Sequence, residues 1–207
     1  MLTLSLFGCI YDPTQSSAAN VSSGNGGNNN PSNKISSLQI AIDKANVGDS
    51  IDFTLGKYSE ITEFGNVNVN KAVTIANFND MKSATLQVSA DGVILNGIQN
   101  TSVTTNSSLK ISGSSLSSLS IAVVQSSQAN ASQIVSRGET VRSAQPPVVE
   151  VDNTTVTEEV SVGIANAYLT VEKFTASTHV SLDAANVQLT INDKATNIKE
   201  IKTDKIC

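Results

Sequence analysis

The chain has 207 residues, enough for one domain with a continuous core, and only 15% of them are charged, so Ser, Thr, Asn, Val and Ile dominate and favour strands and polar turns over long surface helices. A net charge of −5, with Arg137 and Arg142 the only arginines and the lysines scattered, leaves no basic stripe to displace phosphate counterions and excludes a nucleic-acid surface. No apolar run approaches the roughly 18 residues that span a bilayer, so any membrane link is expected to be covalent or peripheral.

Residues 1–9, MLTLSLFGC, are apolar and end in Leu6-Phe7-Gly8-Cys9, with a small residue just before the cysteine. This resembles the lipobox of bacterial lipoproteins, in which a signal peptide is removed and the cysteine acylated. The resemblance implies lipidation at Cys9, with the membrane as a partner and the bacterial cell envelope as the location. Phe7 is bulkier than the usual residue there, and no Lys or Arg precedes the apolar stretch. Residues 10–35 read as a tether. Their Ser/Gly/Asn-rich composition cannot bury enough apolar surface to offset the entropy of ordering. A flexible chain of that length reaches about 25–30 Å. Cys9 and Cys207 stand too far apart for a disulfide scaffold or a zinc site.

A short cap helix is expected over residues 36–47, opening the folded domain at 36–207. Ser36 and Gln39 have capping-box spacing, and Leu38, Ala41, Ile42 and Ala45 make one apolar face. Gly48 fits the residue just past the helix end. The period then changes to two, and a longer repeat appears. Val149-Glu150-Val151, Leu169-Thr170-Val171 and Leu189-Thr190-Ile191 are 20 residues apart, as are Val160 and Val180, and Asn166 and Asn186. Val73-Thr74-Ile75 precedes Val93-Ile94-Leu95 by the same step, and Val67 precedes Leu86 by 19. Short strands on a fixed step, without helices between them, are the mark of a solenoid. The expected fold is all-β, a right-handed parallel β-helix of about eight coils of roughly 20 residues each. Inward aliphatics should stack, and asparagines at one register should form a hydrogen-bonded ladder.

Ser37-Leu38-Gln39, Ala41-Ile42, Gly48-Asp49, Gly56-Lys57-Tyr58 and Asn70-Lys71 followed by Val73-Thr74-Ile75 resemble the opening of pectin-lyase-like parallel β-helix proteins. The resemblance covers residues 36–98 and is only periodic beyond them. It implies that the helix plugs the N-terminal end of the stack. Enzymes of that family act with clustered acids, often with calcium, or with Arg or Lys bases in a groove. Here Asp80, Asp91, Asp152, Asp183 and Asp193 read as dispersed, without paired acids in adjacent coils, and Asp49 and Asp52 read as turn residues.

No catalytic residue, metal ligand or cofactor is assigned from the sequence. His179, the sole histidine, follows Glu159 by 20 residues, which stacks the two in adjacent coils; a charge-assisted pair and a plain solvated contact both fit. Residues 125–147 break the register and hold Arg137 and Arg142. They read either as a loop offering those arginines to an acidic ligand or as a surface excursion. Tyr58 and Tyr168 stand isolated, so no aromatic platform for sugars is visible. The expectation is a non-enzymatic envelope lipoprotein with an adhesive, ligand-binding or structural β-helix, whose partner is a polysaccharide or a host or envelope protein. The alternative is a polysaccharide lyase or glycoside hydrolase acting on an anionic polymer. Shared architecture does not decide between them.

Overall fold

Among the described residues, runs in which aliphatic and polar residues alternate form fourteen strands, and every pairing is parallel. The structure, a computed structural model, describes residues 35, 37–78, 84–124 and 145–203, all within the compact unit Asn33–Cys207. Cys9, Cys207, Ser36, Asp80, Arg137, Arg142 and the tether apart from Ile35 lie outside those residues.

Helix α1 (Leu38–Lys44) precedes the strands. The first eight strands are β1 (Ser50–Asp52), β2 (Asn66–Val69), β3 (Thr74–Ala76), β4 (Ala84–Val88), β5 (Val93–Asn96), β6 (Gln99–Thr105), β7 (Leu109–Ser112) and β8 (Ser115–Ile121). Then come β9 (Val148–Val162), β10 (Tyr168–Ala176), β11 (Val180–Leu182), β12 (Gln188–Ile191), β13 (Asn197–Ile198) and β14 (Ile201–Thr203). A first ladder stacks β1, β3, β5, β7, β9, β10 and β12; a second stacks β2, β4, β6 and β8 on the far half of β9, continued by β10, β11, β13 and β14. The long strand β9 turns the corner and serves both. The result is a parallel β-solenoid with seven levels in the first ladder, about six turns rather than the expected eight coils.

Irregular steps account for the difference. Ile51, Ile75, Leu95, Ile111, Val151, Val171 and Ile191 form one inward column. Ile51 meets Ile75 after 24 residues and Ile111 meets Val151 after 40, which outweighs the 16 between Leu95 and Ile111, so a constant 20-residue step overcounts the coils. Because β7 pairs directly with β9, no level separates them. The column is fully buried at Ile51, Ile75, Leu95 and Val171, each contributing about 1.5–3 kcal/mol of apolar burial before the entropy of ordering is counted. Pro147 leads into β9, and its carbonyl accepts Tyr168 N–H at 2.9 Å.

Corners are made by residues in left-handed backbone. Between the ladders these are Asn77, Gly97, Gly113, Asn153 and Lys173, with φ from +45° to +65°. Glycine suits Gly97 twice over, since its φ is +65° and an added Cβ would lie 3.4 Å from Asn77 Oδ1. A staircase of hydroxyls closes the same corner. Ser114 Oγ accepts Ile98 N–H at 3.2 Å, Thr154 Oγ1 accepts Ser114 N–H at 3.4 Å, and Thr196 Oγ1 accepts Phe174 N–H at 3.3 Å. At the opposite corner Asn166 and Asn186 have φ of +60° and +56°, and Asn186 Nδ2 donates to Asn166 Oδ1 at 3.2 Å, the expected asparagine ladder.

Helix α1 is shorter than expected. Ser37 caps it, its Oγ accepting Ile40 N–H at 3.2 Å, and Ala45 ends it in extended backbone, so Gly48 (φ +89°) belongs to the turn into β1. Gln39 makes no capping box. Its side-chain amide grips the edge of β2 instead, accepting Asn68 N–H at 2.7 Å and donating to Asn68 O at 3.2 Å. Those two groups would otherwise be unpaired edge donors and acceptors, and this demand wins over the weaker helix cap. Lys71 Nζ donates to the carbonyls of Ile42, Asp43 and Ala45 at 3.3, 2.7 and 3.0 Å, which completes the C-terminal end of the helix. Leu38, Ala41 and Ile42 are buried over the first coil. Phe53 and Phe64 pack edge-on against Phe78, with centroids 3.9 and 4.6 Å away, and pin the long loop of that coil. Among the described residues no helix is long and apolar enough to cross a membrane.

Candidate ligand-binding face

Strand alternation sends every second residue of the first ladder outward, and register stacks those residues in columns. One column runs Ile94, Lys110, Glu150, Thr170, Thr190; its neighbour runs Asn96, Ser112, Asp152, Glu172. Two adjoining depressions lie on this face and share Ile94, Lys110 and Glu150. The smaller, about 210 Å³, has an apolar lip at Gly92, Ile94 and Val148. The larger, about 420 Å³, is bordered by Ser112, Asp152, Thr170, Glu172 and Asn192. Ile94, Val148 and Tyr168 are each about 40% exposed, so apolar surface stays open beside the polar border.

Lys110 Nζ and Glu150 Oε2 pair at 2.7 Å with both side chains half-exposed, a contact worth at most about 1 kcal/mol that still neutralises the one lysine lining the depressions among the described residues. Asp152 and Glu172 are then left as the uncompensated charge. They are register partners in adjacent coils, one strand spacing of about 4.8 Å apart. This corrects the expectation that no acids pair between coils. The signal was present in the sequence, since Glu172 follows Asp152 by one 20-residue step and Glu150 precedes it by one alternation. The face is therefore amphipathic and carries net negative charge. It can accept hydrogen bonds from hydroxyl or ammonium donors along one border and pack apolar groups on the other.

The other residues singled out from the sequence fall elsewhere. Glu159 and His179 precede the paired Val160 and Val180 and so occupy adjacent coils of the second ladder. No hydrogen bond or ion pair joins their side chains among the described residues; the nearest link is from the Thr178 hydroxyl to the Glu158 carbonyl. Asp49 and Asp52 serve turns, as expected. Asp49 Oδ2 accepts Asn46 N–H at 2.8 Å, and Asp52 Oδ1 accepts Asn77 Nδ2 at 3.0 Å and the hydroxyl and amide of Thr54 at 2.7 and 2.9 Å. The Asn77 bond, followed by those from Thr54, holds the Asp52 carboxyl below its ordinary value. Tyr58 is buried against Phe53, whereas Tyr168 stands beside the groove. Among the described residues no group of three His, Cys, Asp or Glu side chains is placed to hold a metal ion. No family model, no curated protein and no solved structure matches this chain.

Proposed function

We propose that the protein is a non-enzymatic cell-envelope lipoprotein whose β-helix is an adhesive, ligand-binding module, tethered through acylated Cys9. The observation that carries the binding reading is the pair of adjoining depressions on the first ladder, an open groove crossing several coils with an apolar lip and a hydrogen-bonding border. Such a groove suits an extended polymer better than a small enclosed substrate. Its uncompensated carboxylates, Asp152 and Glu172, favour neutral or cationic ligands over uronates, which they would repel. The lipoprotein part rests on Gly8-Cys9 and the polar stretch that follows.

A second reading has one observation in its favour. Stacked Asp152 and Glu172 beside Glu150 are the kind of acid group a glycoside hydrolase uses. One pair of experiments tests both. Fused behind a complete lipoprotein signal peptide in a bacterial host, the protein should take up labelled palmitate, and Cys9→Ala should not; labelling that persists in the variant, or is absent from the parent, ends the lipoprotein claim. On a panel of glycans and basic peptides the parent should bind without releasing fragments, and Asp152→Asn/Glu172→Gln should weaken binding. Fragment release that this double variant abolishes would put the enzyme reading first.

A further inference from the structure

The groove on the first ladder differs in chemistry between its two ends. Toward the earlier coils, Ile94 and Val148 leave aliphatic surface open at the mouth of the smaller depression, with Tyr168 beside Val148 in the next coil. Toward the later coils, the larger depression is bordered by the carboxylates of Asp152 and Glu172. Among the described residues no hydrogen bond or ion pair engages either of them. Lys110 stands between the two ends, its charge held by Glu150 at 2.7 Å. A cation gains nothing at the aliphatic end, where it would lose water without meeting a counter-charge, and an aliphatic group gains nothing beside the carboxylates.

The register sets the distance between these ends. Glu172 lies three levels beyond Ile94, through Lys110, Glu150 and Thr170, and one outward position further along its strand. With about 4.8 Å between levels and about 6.7 Å between alternate residues of a strand, the two are about 16 Å apart. An extended peptide, at about 3.3 Å per residue, covers that distance in about five residues. It can also carry the two chemistries at separate positions, while Ser112 and Thr170 on the border offer hydroxyls to its backbone. An amino-sugar polymer repeats its ammonium on every ring and has no aliphatic side chain to cover Ile94 and Val148. We propose that the groove takes an extended segment of a partner protein in which an aliphatic side chain and a pair of lysines or arginines stand about five residues apart. The aliphatic group lies against Ile94 and Val148, and the cations lie at Asp152 and Glu172. This rests on the groove being a binding site, as proposed above, and adds the class of partner and its orientation.

Titration of end-blocked hexapeptides into the isotope-labelled full chain, followed by nuclear magnetic resonance, tests the proposal. The probes are Leu-Ser-Thr-Ser-Lys-Lys and the same residues in reverse order, and one of the two should half-saturate the protein below about 1 mM. In that peptide, glutamates in place of both lysines should weaken binding about tenfold or more, and serine in place of leucine about tenfold. The two losses should cross over between variants of the protein. Asp152→Asn/Glu172→Gln should shrink the lysine effect to within about twofold and keep the leucine effect, and Ile94→Ser/Val148→Ser should do the reverse. All four positions face outward, so the parent's circular dichroism spectrum is expected; a double variant that loses it is replaced by Glu172→Gln or Ile94→Ser alone, with the same crossing expected. Binding of neither peptide, or losses that do not cross, would overturn the inference. Binding of soluble chitosan that the carboxylate variant weakens, with no peptide bound, would overturn it too and leave the groove a binding site. Silence from the whole panel of glycans and peptides would end the groove reading as well.

Discussion

Replacing Val171 by aspartate tests the inward column at its most demanding point. Val171 is fully buried, in register with Val151 above it and Ile191 below. The new carboxyl would have no donor to meet, since its neighbours in the column are aliphatic. Burial of that kind raises a carboxyl by about 3–5 pH units, so at pH 7 the folded form must take up a proton; at 1.36 kcal/mol for each of the roughly three units between the free value and pH 7, this costs about 4 kcal/mol. Loss of the valine's own burial adds to this, against a total stability of about 5–15 kcal/mol for a typical domain. Val171→Asp should therefore be largely unfolded at pH 7. It should regain structure as the pH falls, because the raised folded pKa makes the protonated, folded form dominant first. Thr170→Asp, one residue away, points outward opposite Glu150, and the like-charge contact should cost only about 0.2–1 kcal/mol. Urea unfolding followed by far-ultraviolet circular dichroism measures both. Equal losses from the two substitutions, or a helical spectrum in the parent, would refute the alternation on which the columns rest.

Two further outcomes follow from particular contacts. Asp52 has its carboxyl held below the ordinary value by bonds from Asn77 and Thr54, so their stabilisation is present above that value and lost as pH falls through the lowered one. Thermal midpoints from about pH 5 to about pH 2 should accordingly fall less steeply in Asp52→Asn than in the parent, and identical slopes would show that the carboxyl is not linked to folding. Lys71→Met removes the donor shared by three helix-end carbonyls and should cost about 1–2 kcal/mol, seen as faster hydrogen exchange at Ala41 and Ala45; unchanged exchange would mean that water replaces the ammonium without loss.

The sequence is most legible where the inward positions are aliphatic. Val149, Leu169 and Leu189, or Val160 and Val180, announce their own register, and Asn166 and Asn186 announce the corner. Legibility fails in β6 and β8, where the inward set includes Thr101 and Thr105, both fully buried, and the outward set is mostly serine and threonine. With hydroxyls on both sides of the strand the period of two loses its contrast, so the 16-residue step between Leu95 and Ile111 leaves no mark. Buried Thr105 is tolerated because its hydroxyl donates to Ser107 O at 2.8 Å and accepts Ser107 N–H at 3.0 Å, a bond that turn geometry supplies and composition does not reveal. The misplaced helix cap has a similar cause. Gln39 has the spacing of a capping box, but the open edge of β2 offers its amide both a donor and an acceptor at once. The groove acids were missed for want of register, because Asp152 and Glu172 become a pair only once the coils are aligned.

A stack of this kind is close to one-dimensional, each level held mainly by the levels on either side. Interior levels keep two neighbours, and their inward aliphatics are dry. At the first level α1, Gln39 and Lys71 stand in for the missing neighbour, whereas in the last described level Ile191 and Ile201 are about half exposed. Local stability should thus be greatest between β3 and β10, and the groove on the first ladder is centred on that interval. Rigidity matters more here than in a fold with long loops, because the ligand-facing atoms are side chains of the strands themselves. Once the register is fixed, chemistry is assigned by column. Charge gathers on the first ladder at Lys110, Glu150, Asp152 and Glu172, while on the second a column from Asn68 through Gln87, Thr104 and Ser120 to Ser161 carries none. A shift of one residue in a single coil would exchange that coil's inward and outward sets and break the groove there, so the corner residues Asn77, Gly97, Gly113 and Asn153 support binding without touching a ligand.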